Sequence, residues 1–312
     1  MHSPRKNPVD FFFGTLTALA SLSVLIVICG IFLALIKESL PAIERFGVVQ
    51  FISNVQWDPV EEVFGGFSSI LGTLITTVLS LVFALPVAIG IAIFITEIAP
   101  SFLKGPIGTA VELLAAIPSI IYGMWGLFTL APIMEEHIEP FVQLTLGRLP
   151  LLGALFQGTP MGIDLFTASV ILSIMIIPFT ASVARDSFML TPDMVKESAY
   201  GVGATKWEVI KDVVLPYSKI GVFGGVVLSL GRAIGETMAV AFVLGNNHEI
   251  PRSLFDAAAT ITVTLANEFT EADTDLYLSS LYYLALILFV ISFISLGIAK
   301  FFLIRAERRY QR

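Results

Sequence analysis

Six stretches of the chain run for at least the roughly 20 residues that cross a bilayer, with almost no charge, and this limits the fold more than any other feature. A bilayer core of about 30 Å offers the backbone no water, so every peptide group must find its partner within the segment, as a helix allows. The stretches predict spans near Phe11–Ile36, Phe67–Thr96, Ile107–Met134, Leu165–Ala184, Ile220–Gly245 and Tyr277–Ile304. Composition agrees, with 56% of the 312 residues hydrophobic and 14% charged, against about 45–50% and about 25% in soluble chains. The expected fold class is an all-α integral membrane protein, with six transmembrane helices in a single domain over residues 1–312. Arg5 and Lys6 precede the first run as they would in a secretory leader. That run is far longer than the roughly 7–15 apolar residues of a leader, and it reads as a retained anchor.

A single cysteine, Cys29, excludes an internal disulfide and a four-cysteine zinc site. His2, His137 and His248 are too dispersed for a metal centre. The net charge of −7 argues against nucleic-acid binding by the whole chain.

Orientation follows from the basic residues, because cytoplasmic loops retain Lys and Arg. With the N-terminus inside, 13 of the 18 Lys and Arg fall on inner segments and only Lys37, Arg45, Arg148 and Arg252 on outer ones, while Arg232 lies inside a span. Both termini are therefore expected in the cytoplasm. The acids lean the other way, 15 of 25 lying in outer loops, so the outer face nets −11 and the inner face +5. Of the outer loops, Lys37–Gly66 mixes Ile43, Phe46, Phe51 and Trp57 with acids and reads as a helix or ribbon on the membrane surface. Glu135–Asp164, rich in Leu and Phe, is expected to pack on the outer helix ends. No linker, repeat or low-complexity tract divides the chain.

The inner segment 185–219, between the fourth and fifth spans, carries the most information. Thr191 is a good N-cap, Pro192 suits the first helical position and Asp193 complements the helix dipole, so a short helix is predicted there. Gly201 and Gly203 offer positive-φ positions that can end it. Thr205-Lys-Trp-Glu208 then forms a capping box for a second helix, which Pro216 limits before the fifth span. The product is a helix–turn–helix knuckle at the inner face, with Tyr200 and Trp207 available as aromatic contacts. From capping alone, a plain connector is as good a reading as a docking element.

Spacing weighs for docking. Glu197-Ser198-Ala199, Gly203 six residues after the Glu, and Val213-Val-Leu215-Pro216 resemble the EAA loop of ABC-importer permeases, with Ser198 in place of an Ala and Val213 in place of an Ile. In that family the short helix docks in a cleft of the ATP-hydrolysing subunit, so the resemblance makes Glu197, Ser198, Ala199, Gly203, Leu215 and Pro216 coupling residues. Glu112-Leu-Leu-Ala-Ala-Ile-Pro118-Ser-Ile-Ile-Tyr122-Gly-Met-Trp-Gly126, Lys196–Gly201 and Gly231-Arg-Ala-Ile-Gly-Glu-Thr-Met-Ala-Val240 extend the likeness over nearly the whole chain, to PstC-type permeases of phosphate-specific ABC importers. The resemblance implies a type I permease fold with a cytoplasmic coupling helix, in a bacterial plasma (inner) membrane. It also implies a heteromeric complex with a paralogous PstA-type permease, two copies of an ATPase that binds ATP-Mg, and an extracytoplasmic phosphate-binding protein.

The residues themselves speak to substrate in the fifth span. Taken as one helix, it puts Gly221, Gly225, Ser229, Arg232, Glu236 and Ala239 within an arc of about 80°, with Arg232 near the bilayer middle. A mid-membrane ion costs at least about 2.5–3.5 kcal/mol and meets protein or water. Arg232 and Glu236 fit either a self-neutralising i,i+4 pair between helices or a path-lining site. In the second reading Arg232 offers its donor fork to a phosphate, Glu236 restrains it, and Ser229 shares the face. Glu112 lies one to two turns inside the third span and reads as snorkelling to the cytoplasm. Pro118 predicts a kink near Ser119 and Tyr122. Trp57 and Trp125 read as interface or core residues.

No Lys is followed by Ser or Thr, so a Walker A loop is excluded and pumping requires a partner's hydrolysis; no cofactor is expected on this chain. An acidic outer mouth repels free phosphate within about 8 Å, which predicts delivery by a docked binding protein. A phosphate ABC permease is the leading expectation. Against it stand a permease for another oxyanion such as sulfate or molybdate, and a stand-alone ion-coupled carrier or channel, which leaves the knuckle unexplained.

Overall fold

In the computed structural model, the described residues are 8–150 and 153–310, with side-chain surroundings given for 11–150 and 153–305. Among them, pairing of the β type is confined to two isolated bridges, Asp58 with Val63 and Gly245 with Ala258. The rest is helix and loop and includes α1 (Pro8–Phe46), α2 (Val48–Ser53), α3 (Phe67–Ile93), α4 (Ser101–Ala115), α5 (Ser119–Trp125), α6 (Leu165–Met189), α7 (Asp193–Gly201), α8 (Leu215–Ile234), α9 (Met238–Ala241), α10 (Ile261–Glu268) and α11 (Asp275–Tyr310), with further short helical segments between.

Among the described residues, five helical runs are long and apolar enough to cross a membrane: Phe11–Phe46, Phe67–Ile98, Leu165–Met189, Lys206–Ile234 and Asp275–Arg305. The third expected span, Ile107–Met134, is not continuous. Ser101–Ala115 and Ser119–Arg148 meet at 89°, because Pro118 has no N–H and sits extended at φ −58°, ψ 138° as the N-cap of α5. The Tyr122 hydroxyl bridges the break by donating to the Leu114 carbonyl at 2.9 Å.

The fifth span also departs from expectation. It does not run as one helix from Ile220 to Gly245: α8 stops at Ile234, Gly235 turns out of helical geometry, and the chain restarts as the single turn α9. At its other end Pro216 does not stop the second knuckle helix. The residues Val209–Val214 widen into a π turn that leads into α8, so a missing N–H near the start of α8 leaves no helical bond to break.

α6 is the central strut. Its apolar window is 67% buried, against 28% or less in the other continuous spans. Ile171, Leu172, Met175 and Ile176 form the core with Val240, Val243, Leu244 and Phe255. α8 lies against α6 along a seam of small residues. A Cβ on Gly221 would strike the Ser187 hydroxyl, one on Gly225 would come within 3.1 Å of Val183, and the Ser229 and Thr180 hydroxyls share a hydrogen bond of 2.6 Å. Small residues four apart thus let two backbones approach closely.

The Lys37–Gly66 segment does not lie loose on a membrane surface. Phe51 and Phe64 are fully buried, and Phe64 stacks on Tyr277 at 5.2 Å, which folds the segment onto the end of α11. The Glu135–Asp164 loop packs on the helix ends as expected, with Phe156 against Phe166 and Phe255.

Candidate coupling and translocation sites

The knuckle projects from the end of the bundle predicted to be cytoplasmic. α7 contains no buried residue, and Met194, Val195 and Tyr200 on it, Val202 on the turn after it and Trp207 on the second knuckle helix, Lys206–Glu208, are exposed apolar side chains. Of the motif residues, Glu197, Ser198 and Gly203 are exposed, while Ala199 is half-buried against the small cluster of Ala92, Ala184, Phe188, Val209 and Val214, with Leu215. Ser198 returns its hydroxyl to the Met194 carbonyl. Gly203 takes φ +91°, a conformation that favours glycine, whereas Gly201 closes the helix without positive φ. The capping box forms as predicted, the Thr205 N–H donating to Glu208 Oε2 at 2.7 Å and the Glu208 N–H to Thr205 Oγ1 at 3.4 Å. The first cap is different: Pro192 occupies the N-cap with no side-chain bond, and the buried Thr191 hydroxyl is used by Ser218 instead.

One ion pair that the sequence did not reveal anchors this knuckle. Lys196 Nζ donates to Glu97 Oε1 at 2.7 Å, their side chains only 17% and 9% exposed, tying α7 to the turn that ends the α3 span. Arg185 makes a second tie, donating to Glu112 at 2.7 Å and Asp186 at 2.9 Å. Glu112, its side chain half exposed as a snorkelling acid's would be, also meets Arg185 there and ties α4 to α6. Removing one member of a buried pair strands the other charge at a cost of about 3–5 kcal/mol. Lys196→Ala is expected to lower the thermal midpoint of the purified complex, and the double replacement Lys196→Met with Glu97→Gln to recover most of the loss. Equal midpoints for the single variant and wild type would show that the pair anchors nothing.

The fifth-span residues are brought together differently from the helical-wheel expectation. Arg232 is exposed on the last turn of α8, one residue off the seam, which continues through Ser229 to Ala233. The Ser229 hydroxyl is fully buried and occupied by Thr180 and the Gly225 carbonyl, so it does not share an open face with Arg232. Glu236, beyond the helix end, accepts from the Ala239 N–H at 3.1 Å and caps α9. No Arg232–Glu236 ion pair forms, and Arg232 has no ion-pair partner among the described residues. The two interrupted spans meet here: a Cβ on Gly123 of α5 would stand 2.7 Å from the Met238 carbonyl of α9, and Tyr122 lies within electrostatic reach of Arg232. The result is an unpaired guanidinium where two membrane segments are broken side by side.

At the opposite end, three acids counted as outer surface charge are buried. Glu139 accepts from the N–H groups of Met161 and Gly162 and from the Thr167 hydroxyl. Asp164, the N-cap of α6, accepts from the Thr167 N–H at 2.8 Å. Burial, and then the neighbouring Glu139, push the Asp164 carboxyl up to about 8 against the opposing Thr167 N–H. Glu268 takes hydrogen bonds from Trp57, Tyr277 and His248, at 2.7, 2.8 and 2.9 Å. Burial opposes its charge, but these donors outweigh burial and hold its carboxyl below the usual range. The outer face is thus less acidic than the residue count implied.

The folded state keeps the Asp164 proton that an unfolded chain gives up near the ordinary aspartate value of 3.8, so this group's contribution to stability declines as pH rises from about 4 towards 8. Asp164→Asn preserves the cap and is expected to flatten the fall of the thermal midpoint over that range. An unchanged pH profile would contradict a protonated Asp164.

The family model for the binding-protein-dependent transport system inner membrane component matches residues 63–308. The chain belongs to this family. As a family member it is a multi-pass inner-membrane protein with the fold of an ABC-importer permease. The relative from Mesorhizobium japonicum, named phosphate transport system permease protein PstC, is 51% identical over 96% of this chain and 91% of its own length. The relative of the same name from Haemophilus influenzae is 48% identical over 96% and 95%. Among solved structures, a bacterial alginate ABC transporter in complex with an alginate pentasaccharide-bound periplasmic protein matches at a TM-score of 0.59 and 18% identity, over 91% of this chain and 92% of that one. An inward-facing MetNI methionine ABC transporter matches at 0.56 and 16%, over 76% and 94%. These identities speak for the fold alone.

Proposed function

We propose that this chain is a transmembrane permease subunit of an ATP-driven importer that carries inorganic phosphate from the extracytoplasmic side into the cytoplasm. The observation that carries the reading is its near full-length kinship with relatives named phosphate transport permeases. That kinship favours phosphate over sulfate or molybdate, which one Arg cannot distinguish among tetrahedral anions. The exposed knuckle is the physical argument against a stand-alone carrier: a carrier that couples to an ion gradient has no need for five exposed apolar side chains on one helix–turn–helix. Both termini and the knuckle then face the cytoplasm. A separate ATPase dimer binds ATP-Mg and docks on residues 191–216, with Glu197, Ser198, Ala199 and Gly203 at the contact and Leu215 and Pro216 leading into the fifth span. A PstA-type permease pairs with this chain in the bilayer, and a phosphate-binding protein docks outside.

Arg232 is the substrate-facing cation in this reading. A lone ion inside a span persists where it meets water or a ligand, and interrupted helices are where transporters place such sites. Its planar fork suits two phosphate oxygens at once. Glu236 orders the adjoining turn through Ala239, and Ser229 acts behind it as packing between α6 and α8. Proteoliposomes with all four components are expected to take up phosphate only with internal ATP and the external binding protein. Uptake by this chain alone under an ion gradient would sink the proposal.

A further inference from the structure

A groove of about 680 Å³ opens between α6, α8 and α11 near the knuckle end of the bundle. Its walls are Val183, Leu190, Val227, Leu228, Leu296 and Leu303, all in or beside spanning segments. Gly224 gives it a floor, since a Cβ there would meet nothing within 4 Å. Two charged residues, Asp186 and Lys300, line the same groove. They do not pair with each other, and Lys300 has no ion-pair partner among the described residues. Asp186 uses only its Oδ1 towards Arg185, accepting from Nε at 3.2 Å and Nη2 at 2.9 Å.

We propose that this groove holds one phosphatidylethanolamine molecule, an acyl chain against the leucines and valines, the phosphate on Lys300 and the ammonium on Asp186. The chemistry of the rim selects this headgroup. The leucines and valines of a slot walled by three spans match the acyl chains of the surrounding bilayer. Lys300 near the end of a span calls for a phosphate at the interface. A purely anionic headgroup would satisfy Lys300 and be repelled by Asp186. A choline headgroup carries no N–H for the carboxylate to accept. Only a zwitterion with a donor ammonium answers both charges, through charge-assisted bonds.

The test uses the whole complex, purified, stripped of lipid and offered equimolar phosphatidylethanolamine, phosphatidylcholine and phosphatidylglycerol, with retained lipid counted by native mass spectrometry. The expected result is about a tenfold preference for phosphatidylethanolamine over phosphatidylcholine, the size of one charge-assisted hydrogen bond. Asp186→Asn should bring that ratio to about one, and Lys300→Gln should reduce retention of both lipids. Should either variant fail to assemble, wild-type complex with singly, doubly and triply N-methylated headgroups answers the same question, since retention should collapse only at the third methyl. Retention of phosphatidylglycerol at or above phosphatidylethanolamine would overturn the proposal, as would equal retention of the ethanolamine and choline lipids. So would the absence of retained lipid together with cross-linking of a Leu228→Cys variant to the neighbouring permease, which would make the groove a subunit interface.

Discussion

Complex carrying Met194→Glu and Val202→Glu is expected to lose its ATPase on purification, while the permease keeps its own thermal stability. The two side chains are 77% and 87% exposed, so nothing inside this chain depends on them. Burying a large apolar side chain contributes about 1.5–3 kcal/mol, and a glutamate forced into the same contact adds the cost of an unpaired buried charge. Together these exceed a hundredfold in affinity. Trp207→Ala should weaken docking more moderately, as aromatic anchors do near the middle of an interface. Pull-down of the ATPase at wild-type stoichiometry by the double variant would show that the knuckle is a connector. A permease that melts early would instead place those residues in its own core, against their exposure.

Arg232→Ala is expected to abolish phosphate uptake, with ATPase docking and complex yield unchanged. Arg232→Lys should recover only a small part of the rate. The guanidinium offers a fixed two-point fork and the ammonium a single mobile charge, so a contact to two phosphate oxygens is not reproduced. Loss of one charge-assisted contact to the passing ion corresponds to at least about tenfold in rate. Two results would separate the readings. Wild-type uptake by the Lys variant would remove bidentate recognition, and failure of the Ala variant to assemble would make Arg232 structural. The absence of a carboxylate partner among the described residues argues against the latter, because a charge that only neutralises itself within the fold needs one on hand.

How far the sequence could be read depended on the range of the interactions. The capping box at Thr205 and Glu208 formed as its spacing required, since both partners lie three residues apart. Thr191 failed as a cap because Ser218, 27 residues away, takes its hydroxyl. The helical wheel of the fifth span assumed an unbroken helix. Through Ser229 that assumption was sound, and the Gly221–Gly225–Ser229 stripe packs as small residues do; beyond Ile234 the helix ends, so Glu236 left the face assigned to it. The acids Glu139, Asp164 and Glu268 looked like surface charge for the same reason: the donors that hold them come from other segments, as His248 and Trp57 do for Glu268.

The sequence by itself determined that the chain lives in a membrane, where the second, fourth and sixth spans begin and end to within a turn or two, and that a capped knuckle separates the fourth from the fifth. Those are consequences of apolar run length and of caps within one helical turn, which any segment expresses locally. Only the tertiary structure decided which charges stay unpaired. Lys196 is bound to Glu97 and Arg185 to Glu112 across long stretches of chain, leaving Arg232 at a broken span and Lys300 in an apolar groove as free cations among the described residues. In a low-dielectric medium an ion's fate is set by the partner within a few ångströms, and that partner is chosen by packing, which no local pattern records.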